Sequence, residues 1–287
     1  MLNRHTDPIN YLVIGHITSD LLAGGASQMG GTVTYASLTA SALGHSPGIV
    51  TAKGVHAPLG SLEKFPIAGI ESDISTTFEN LDTPRGRSQF IHHVAPLIAP
   101  YHIPESWRST PLVHLAPVAD EIDYAVLRLF PASFIGLTPQ GWLRTWDAAG
   151  RVRRADWLEA SFILPQVDAV VMSIEDIAGE WRLAEDFAAA CATLVVTEGE
   201  RGCRVFTQGE VVRVPAIPVE AVDTTGAGDI FATAFFVIFE QSGDPIHAAQ
   251  IACQLAGHSV TRRGLAGIPT LDEVEAALFH SRESAWA

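Results

Sequence analysis

The chain is short of cysteine, short of positive charge and free of long apolar runs, and each shortage excludes something. Its three cysteines, Cys191, Cys203 and Cys253, are scattered and form no C-x-x-C pair. An odd, dispersed set builds no disulfide framework and offers no zinc spacing; it reads as the reduced thiols of a cytoplasmic protein. Eighteen Lys and Arg stand against 32 Asp and Glu, a net charge of −14. Nucleic acid and anionic membranes both demand clustered cations, so neither is an expected partner. A nucleotide remains compatible, because a few backbone N–H groups and one or two cations hold a triphosphate. The longest apolar helix candidate, residues 230–239, is too short to cross a bilayer. Residues 1–10 are polar, carry Asp7 and Pro8, and lack the apolar centre of a signal peptide. Repeats, low-complexity tracts and linker-like stretches are missing too. So are two nucleotide fingerprints. Residues 25–32 approach G-x-x-x-x-G-K-[ST], but Gly31 holds the lysine position. Gly15-His16-Ile17-Thr18 stands where G-x-G-x-x-G would follow a first strand. A P-loop NTPase and a dinucleotide-binding dehydrogenase are both disfavoured.

What is present belongs to a globule with a substantial core: 287 residues, 47% hydrophobic and 17% charged. Short β-rich runs at 11–15, 48–52, 112–115, 134–137, 169–172 and 193–197 predict strands. Helical patterns occupy 32–43, 120–129, 175–190, 229–241, 245–262 and 272–279. Residues 202–215 predict a hairpin turning at Gln208-Gly209. This alternation predicts a mainly parallel sheet with helices on both faces. Residues 74–103 differ in texture. Thr76, Thr77, Phe78, Phe90, Ile91, Val94 and Ile98 are interrupted by Pro84, Gly86, Pro96 and Pro100, which suggests a small antiparallel sheet or a lid-like excursion.

The most informative string is Asp223-Thr224-Thr225-Gly226-Ala227-Gly228-Asp229, directly ahead of the apolar 230–239 run. Gly226 and Gly228 let the backbone turn tightly and approach a ligand. The first N–H groups of the helix point outward at the positive end of its dipole, where phosphate binds. A carboxylate held there can take a proton from a hydroxyl that attacks the phosphate, so the residues suit phosphoryl transfer. The competing account of a bare G-x-G-D is a glycine turn with a capping Asp. The longer string resembles the C-terminal signature of the ribokinase-like (PfkB) carbohydrate kinases. The resemblance implies one domain over 1–287, a three-layer α/β/α sandwich with a small β lid, and lid elements near 17–32 and 74–103. It also implies that Asp229 is the catalytic base, that the N–H groups of Gly226, Ala227 and Gly228 form an anion hole, and that Asp223 and Thr225 lie near a metal or monovalent-cation region.

Weaker strings gain meaning beside it. Thr197-Glu198-Gly199-Glu200-Arg201-Gly202 follows a predicted strand, where open α/β sheets gather their ligands. It is a β-turn by itself, and by resemblance Thr197, Gly199 and Gly202 belong to a nucleotide-binding loop. Asp20 and the pair Gly30-Gly31 match the family's acceptor site: a carboxylate accepts hydroxyl hydrogen bonds and glycine admits a polyol. A solvated turn acid is the alternative for Asp20. Many family members carry Asn five residues after the first glycine of the pair, and here that position is Tyr35. Ser173-Ile174-Glu175-Asp176 sits where the family shows N-x-x-E. Glu175 and Asp176 are rival acids for Mg²⁺ held through water, and Ser173 reads as a helix cap. Gln140 and Arg144 in Q-G-W-L-R are candidate acceptor or phosphate contacts, with Arg85 and Arg87 as alternatives from the excursion. His92-His93 is set aside as a metal pair, because strand neighbours face opposite ways. Cys253 and Ala256, with Ala252 and Gly257, resemble an adenine-flanking helix; close helix packing explains them equally.

The resemblance implies an ATP- and Mg²⁺-dependent kinase, with K⁺ a further cation, acting on a sugar, cyclitol or related polyol as a monomer or homodimer. Residues 85–101 and the Q-G-W-L-R string are similar to the branch that includes plant inositol kinases. A nucleoside kinase, a non-catalytic sensor of sugar or nucleotide, and a structural partner pairing through 74–103 are the alternative readings.

Overall fold

Four consecutive residues, Tyr11, Leu12, Val13 and Ile14, have no solvent exposure at all. Side chains alternate across a strand, so apolar cover is needed on both faces. Tyr11 and Val13 enter one core with Phe235 and Ile251; Leu12 and Ile14 enter a second with Trp107 and Phe130. This strand is therefore the middle of a sandwich.

The computed structural model describes residues 8–22, 26–83 and 86–284. In chain order the strands are β1 (Tyr11–Ile14), β2 (Thr18–Leu21), β3 (Ser27–Gly30), β4 (Pro47–Gly54), β5 (Ile67–Ser72), β6 (Thr77–Thr83), β7 (Gly86–His93), β8 (Leu112–Leu115) and β9 (Phe134–Leu137). They continue with β10 (Arg144–Trp146), β11 (Val152–Arg154), β12 (Ala169–Ser173), β13 (Thr193–Thr197), β14 (Cys203–Thr207) and β15 (Glu210–Val214). The helices are α1 (Thr32–Ala42), α2 (Ala160–Ile163), α3 (Trp181–Ala188), α4 (Ala227–Ser242), α5 (Pro245–Ser259) and α6 (Leu271–Ser284).

Among the described residues the main sheet has nine strands in the order β15-β14-β13-β12-β9-β8-β1-β4-β5. The run from β13 to β5 is parallel, and the β14–β15 hairpin adds an antiparallel edge. Residues of α1, α4, α5 and α6 fill one core; short 3₁₀ turns, α2, α3 and the indoles of Trp107, Trp142 and Trp157 fill the other. No helix among the described residues is long and apolar enough to cross a membrane.

A second sheet, β3-β2-β6-β7, stands apart from the first. It combines the antiparallel β6–β7 hairpin expected from 74–103 with the strands flanking the 23–25 region, and β2 runs parallel to β6.

Two helices end up shorter than their patterns predict. Over 120–129 only a 3₁₀ turn forms, Tyr124–Leu129, because Asp120 adopts φ 55 and Asp123 caps the turn through the Ala125 N–H. Over 175–190 the helix begins only at Trp181, because Ala178 (φ 52) and Gly179 (φ 81) break the right-handed run. Ser173 thus caps no helix; its hydroxyl accepts from the Glu175 N–H in a local turn.

The loops after β1 and β8 are tied at one edge of the main sheet. The buried Glu121 carboxylate accepts from the N–H groups of His16, Val118 and Ala119. His16 is itself buried, held by Thr76 and the Pro96 carbonyl, and burial lowers its pKa. Parallel α/β sheets bind ligands at this edge.

Candidate active site

The string singled out in the sequence lies at the start of α4. Gly226 sits in the left-handed region (φ 78, ψ −2) and no side chain caps the helix. A β-carbon on Gly226 would overlap the Tyr35 ring, so only glycine fits this turn. Gly228 faces open space. The Ala227 N–H is engaged in a turn to the Thr224 carbonyl at 3.2 Å, so Ala227 is a poorer anion donor than its sequence position suggested. Further along, Ile230, Phe231, Phe235 and Phe236 are buried and fix the helix in the core.

Asp229 lies in the first turn of α4. The residue keeps part of its surface, yet its carboxyl is closely ringed by protein. Burial pushes it up to about 6; Asp176 and Asp20 add to the rise, while the Thr32 hydroxyl and Arg144 oppose it. These partners come from β2, the start of α1, β10 and the turn after β12. The fold thus gathers Asp20, Arg144 and Asp176 around Asp229 from distant parts of the sequence.

Asp20 backs onto Gly30, where a β-carbon would overlap its carboxylate, and accepts from the Thr18 hydroxyl at 3.1 Å. Gly31, at φ 85, caps α1. Between the second sheet and loop 221–225 lies a cleft of about 470 Å³, lined by Asp20, Gln28, Asn80, Asp223 and Thr225 among others. Sequence reasoning missed Gln28, Asn80 and Thr32. Gln28 and Asn80 reach the cleft only through the register of β2 with β3 and β6. Thr32 could have been suspected as the residue directly after Gly30-Gly31.

Of the acids expected near a metal, Asp223 is a loop staple. Its oxygens accept from the N–H groups of Thr225 and Gly264, each at 2.9 Å. Burial pushes its carboxyl up, but these bonds outweigh that and hold it below the usual range. Asp176 is half-buried, held by Gln140 Nε2 at 3.1 Å and the Ser173 N–H at 2.9 Å, whereas Glu175 is exposed. Gln140 therefore braces Asp176. Among the described residues no three His, Cys, Asp or Glu converge to hold a metal ion. The donor set does not fit a protein cage, but it fits Mg²⁺ held by phosphate oxygens and water, with Asp176 in its outer shell.

The expected nucleotide side is less open than its residues suggested. Thr197 ends β13 and donates to the Met172 carbonyl at 3.4 Å; Gly199 (φ 61) and Gly202 (φ 87) form the turn into β14. Cys253 is buried, its sulfur 3.9 Å from that of Cys203, so it packs α5 onto β14 and presents no surface to a purine. Ala252 is fully buried, Ile217 covers Gly257, and Ala256 is partly exposed while packing against the core. Arg85 lies outside the described residues, as does the side chain of Arg87. His92 pairs with Glu79 at 2.9 Å.

Comparison with known proteins bears on this arrangement. The model of the pfkB family carbohydrate kinases matches residues 152–271, which contain the α4 start, the β13–β15 region and α5. Residues 152–271 thus resemble the pfkB family carbohydrate kinases. The chain is 41% identical over 100 residues to the ribokinase of Bacillus subtilis, a match covering 34% of each chain. It thus spans about a third of that relative's length, and less of the other first curated relatives. A 25% identical match to the fructokinase of Klebsiella pneumoniae covers 93% of this chain and 98% of that one. Among solved structures, a pyrophosphate-dependent kinase in the ribokinase family, complexed with a pyrophosphate analog and myo-inositol, superposes with a TM-score of 0.73. It is 18% identical, over 93% of this chain and 99% of its own.

Proposed function

We propose that this chain transfers a phosphoryl group from ATP to a hydroxyl of a sugar, cyclitol or related small polyol. The observation that carries the reading is Asp229. A carboxyl raised to about 6 stands at the uncapped, glycine-turned start of α4, in the electrostatic reach of Asp20, which lines the cleft. A base poised near neutrality is matched to removing a hydroxyl proton. Asp20, Gly31 and the cleft polar groups would hold the acceptor's other hydroxyls. As the hydroxyl oxygen attacks, Asp229 takes its proton, and the N–H groups at 226–228, Gly228 foremost, face the charge developing on the phosphoryl oxygens. Arg144 would offset the cluster of negative charge around Asp229. Mg²⁺, when bound with the donor, supplies charge neutralisation of the phosphates, and Asp176 would orient its water. The second sheet would act as a lid over the acceptor. A screen of ADP release against inositols, ribose, fructose, ketodeoxygluconate and nucleosides tests the reading. Turnover with one polyol is expected; ligand-dependent thermal shifts with no turnover would favour the non-catalytic sensor instead.

One observation favours a second reading of the donor. With Cys253 packed on Cys203 and Ile217 over Gly257, little of the adenine-flanking surface is free. A donor without a base, such as the pyrophosphate used by the structural neighbour, would need only the anion-binding part of the site. Assaying the same acceptors with ATP and with pyrophosphate, each with Mg²⁺, separates the two donors.

A further inference from the structure

Tyr35 belongs to none of the roles above, yet it touches the centre of the site. It lies one turn into α1 and is only 4% exposed. Its ring occupies the space where a β-carbon of Gly226 would project; Cγ, Cδ1 and Cε1 are its nearest atoms. The first turn of α1 is itself firmly held. The Thr34 hydroxyl donates to the Gly30 carbonyl at 2.7 Å, the Thr34 N–H to the Gly31 carbonyl at 3.0 Å, and the Ser37 hydroxyl to the Val33 carbonyl at 2.7 Å. Glycine is the residue with most backbone freedom to lose, and Gly226 has no side chain with which to anchor its own turn. The wall that restricts it must come from elsewhere, and the ring is that wall. Burial raises the Tyr35 hydroxyl to about 12, with the carboxylates of Asp229, Asp223 and Asp20 adding.

We propose that Tyr35 is a positioning residue whose ring holds Gly226 in its left-handed turn and thereby keeps the start of α4 aimed into the cleft. The proposal deepens the phosphoryl-transfer reading, because the anion hole is the element it positions. The ring, not the hydroxyl, does this. Replacing it therefore loosens residues 224–229 while leaving the rest of the sheet unchanged.

Amide hydrogen exchange of the ligand-free protein tests this without any substrate. Peptides spanning 222–231 are expected to exchange about 10-fold faster in Tyr35→Ala and at the wild-type rate in Tyr35→Phe. Tyr35→Leu keeps apolar volume and serves the same comparison if the alanine variant unfolds. Wild-type protection of 222–231 in a folded alanine or leucine variant overturns the proposal; so does fast exchange in the phenylalanine variant. A parallel calorimetric titration with pyrophosphate and Mg²⁺ is expected to show about 10-fold weaker binding for Tyr35→Leu and a rescued affinity for Tyr35→Phe. If the wild-type protein binds neither pyrophosphate nor ATP, the phosphoryl-transfer reading fails, while the exchange result still decides the role of the ring.

Discussion

Helices α4 and α5 follow one another in the chain, and they begin in opposite ways. Each leaves its first N–H groups without intrahelical partners. At α5, Asp244 sits at the cap in an extended conformation (φ −111) and turns its carboxylate onto the N–H groups of Ile246 and His247, at 2.9 and 3.0 Å, with Pro245 next. That end is closed by its own side chain. At α4 the cap is Gly226, which has nothing to offer, and the acid stands three residues further on. The Asp229 carboxyl is instead hydrogen-bonded by Thr32 and feels the charges of Arg144, Asp176 and Asp20. The same two ingredients, an acid and a helix start, give a closed helix end when the acid is the cap and an uncapped one when it is displaced by three residues.

Removal of the displaced acid is expected to have the largest effect. Asp229→Asn is expected to keep the fold and lower kcat by about 10²–10⁴. Steady-state turnover near wild type, with any acceptor, removes Asp229 from the mechanism. The pH dependence has a definite sign. With the carboxyl at about 6, kcat/KM falls as pH drops through that value and the base becomes protonated. For stability the sign is reversed. The folded pKa lies above the ordinary 3.8, so the folded state binds the proton more tightly, and stability declines as pH rises from about 4 to about 6. Above that range the ionised carboxylate costs on the order of 1–3 kcal/mol. Asp229→Asn should therefore stabilise the protein at pH 8 and do little at pH 4, as thermal melts would read. Equal melting shifts at both pH values would mean that the carboxylate is not strained in the fold.

The contrast between the two helix starts was half legible in the sequence. Gly226, Gly228 and Asp229 declare themselves by type and spacing, and the parallel strands declare themselves as short apolar runs. The 203–214 hairpin was legible because Gln208-Gly209 suits a tight turn, with both residues at positive φ. The helices expected over 120–129 and 175–190 were not, since their periodicity continues through Asp120, Ala178 and Gly179, and only tertiary context sends those residues to positive φ. The contact of Tyr35 with Gly226 and the place of Asn80 in the cleft were illegible for another reason. Both depend on how α1 meets α4 and how β6 aligns with β2, and no local pattern records that. Cys253 misled because a small residue on a helix looks alike whether it lines a pocket or packs against a strand.

Substitutions at the two glycines of the α4 start are expected to have intermediate effects. Gly226→Ala must meet the Tyr35 ring and hold φ 78, a strained conformation for alanine. A loss of about 1–3 kcal/mol is expected, with most of the activity. Gly228→Ala meets nothing within 4 Å. In a helix it should stabilise by about 0.5–1 kcal/mol, yet its methyl group would project where the phosphoryl group is proposed to sit, raising the donor KM. If both variants lost stability and activity in proportion, the glycines would be serving the fold alone. If Gly228→Ala were more stable and as active as wild type, the donor would not approach α4 at this point.

The smallest effect belongs to the closed end. Asp244→Ala leaves the Ile246 and His247 N–H groups to water and is expected to cost about 1 kcal/mol, the usual worth of an N-cap. Both kcat and KM should stay unchanged, because the Asp244 end of α5 is not among the groups lining the cleft or shifting Asp229. Asp244→Asn, which can still accept from those N–H groups, should recover most of the stability. Denaturant melts and steady-state kinetics on the same samples check both halves. Altered kinetics in Asp244→Ala would mean that α4 and α5 are coupled through their packing strongly enough for a cap on one to move the base on the other, and the separation of the two helix starts into stability and chemistry would no longer hold.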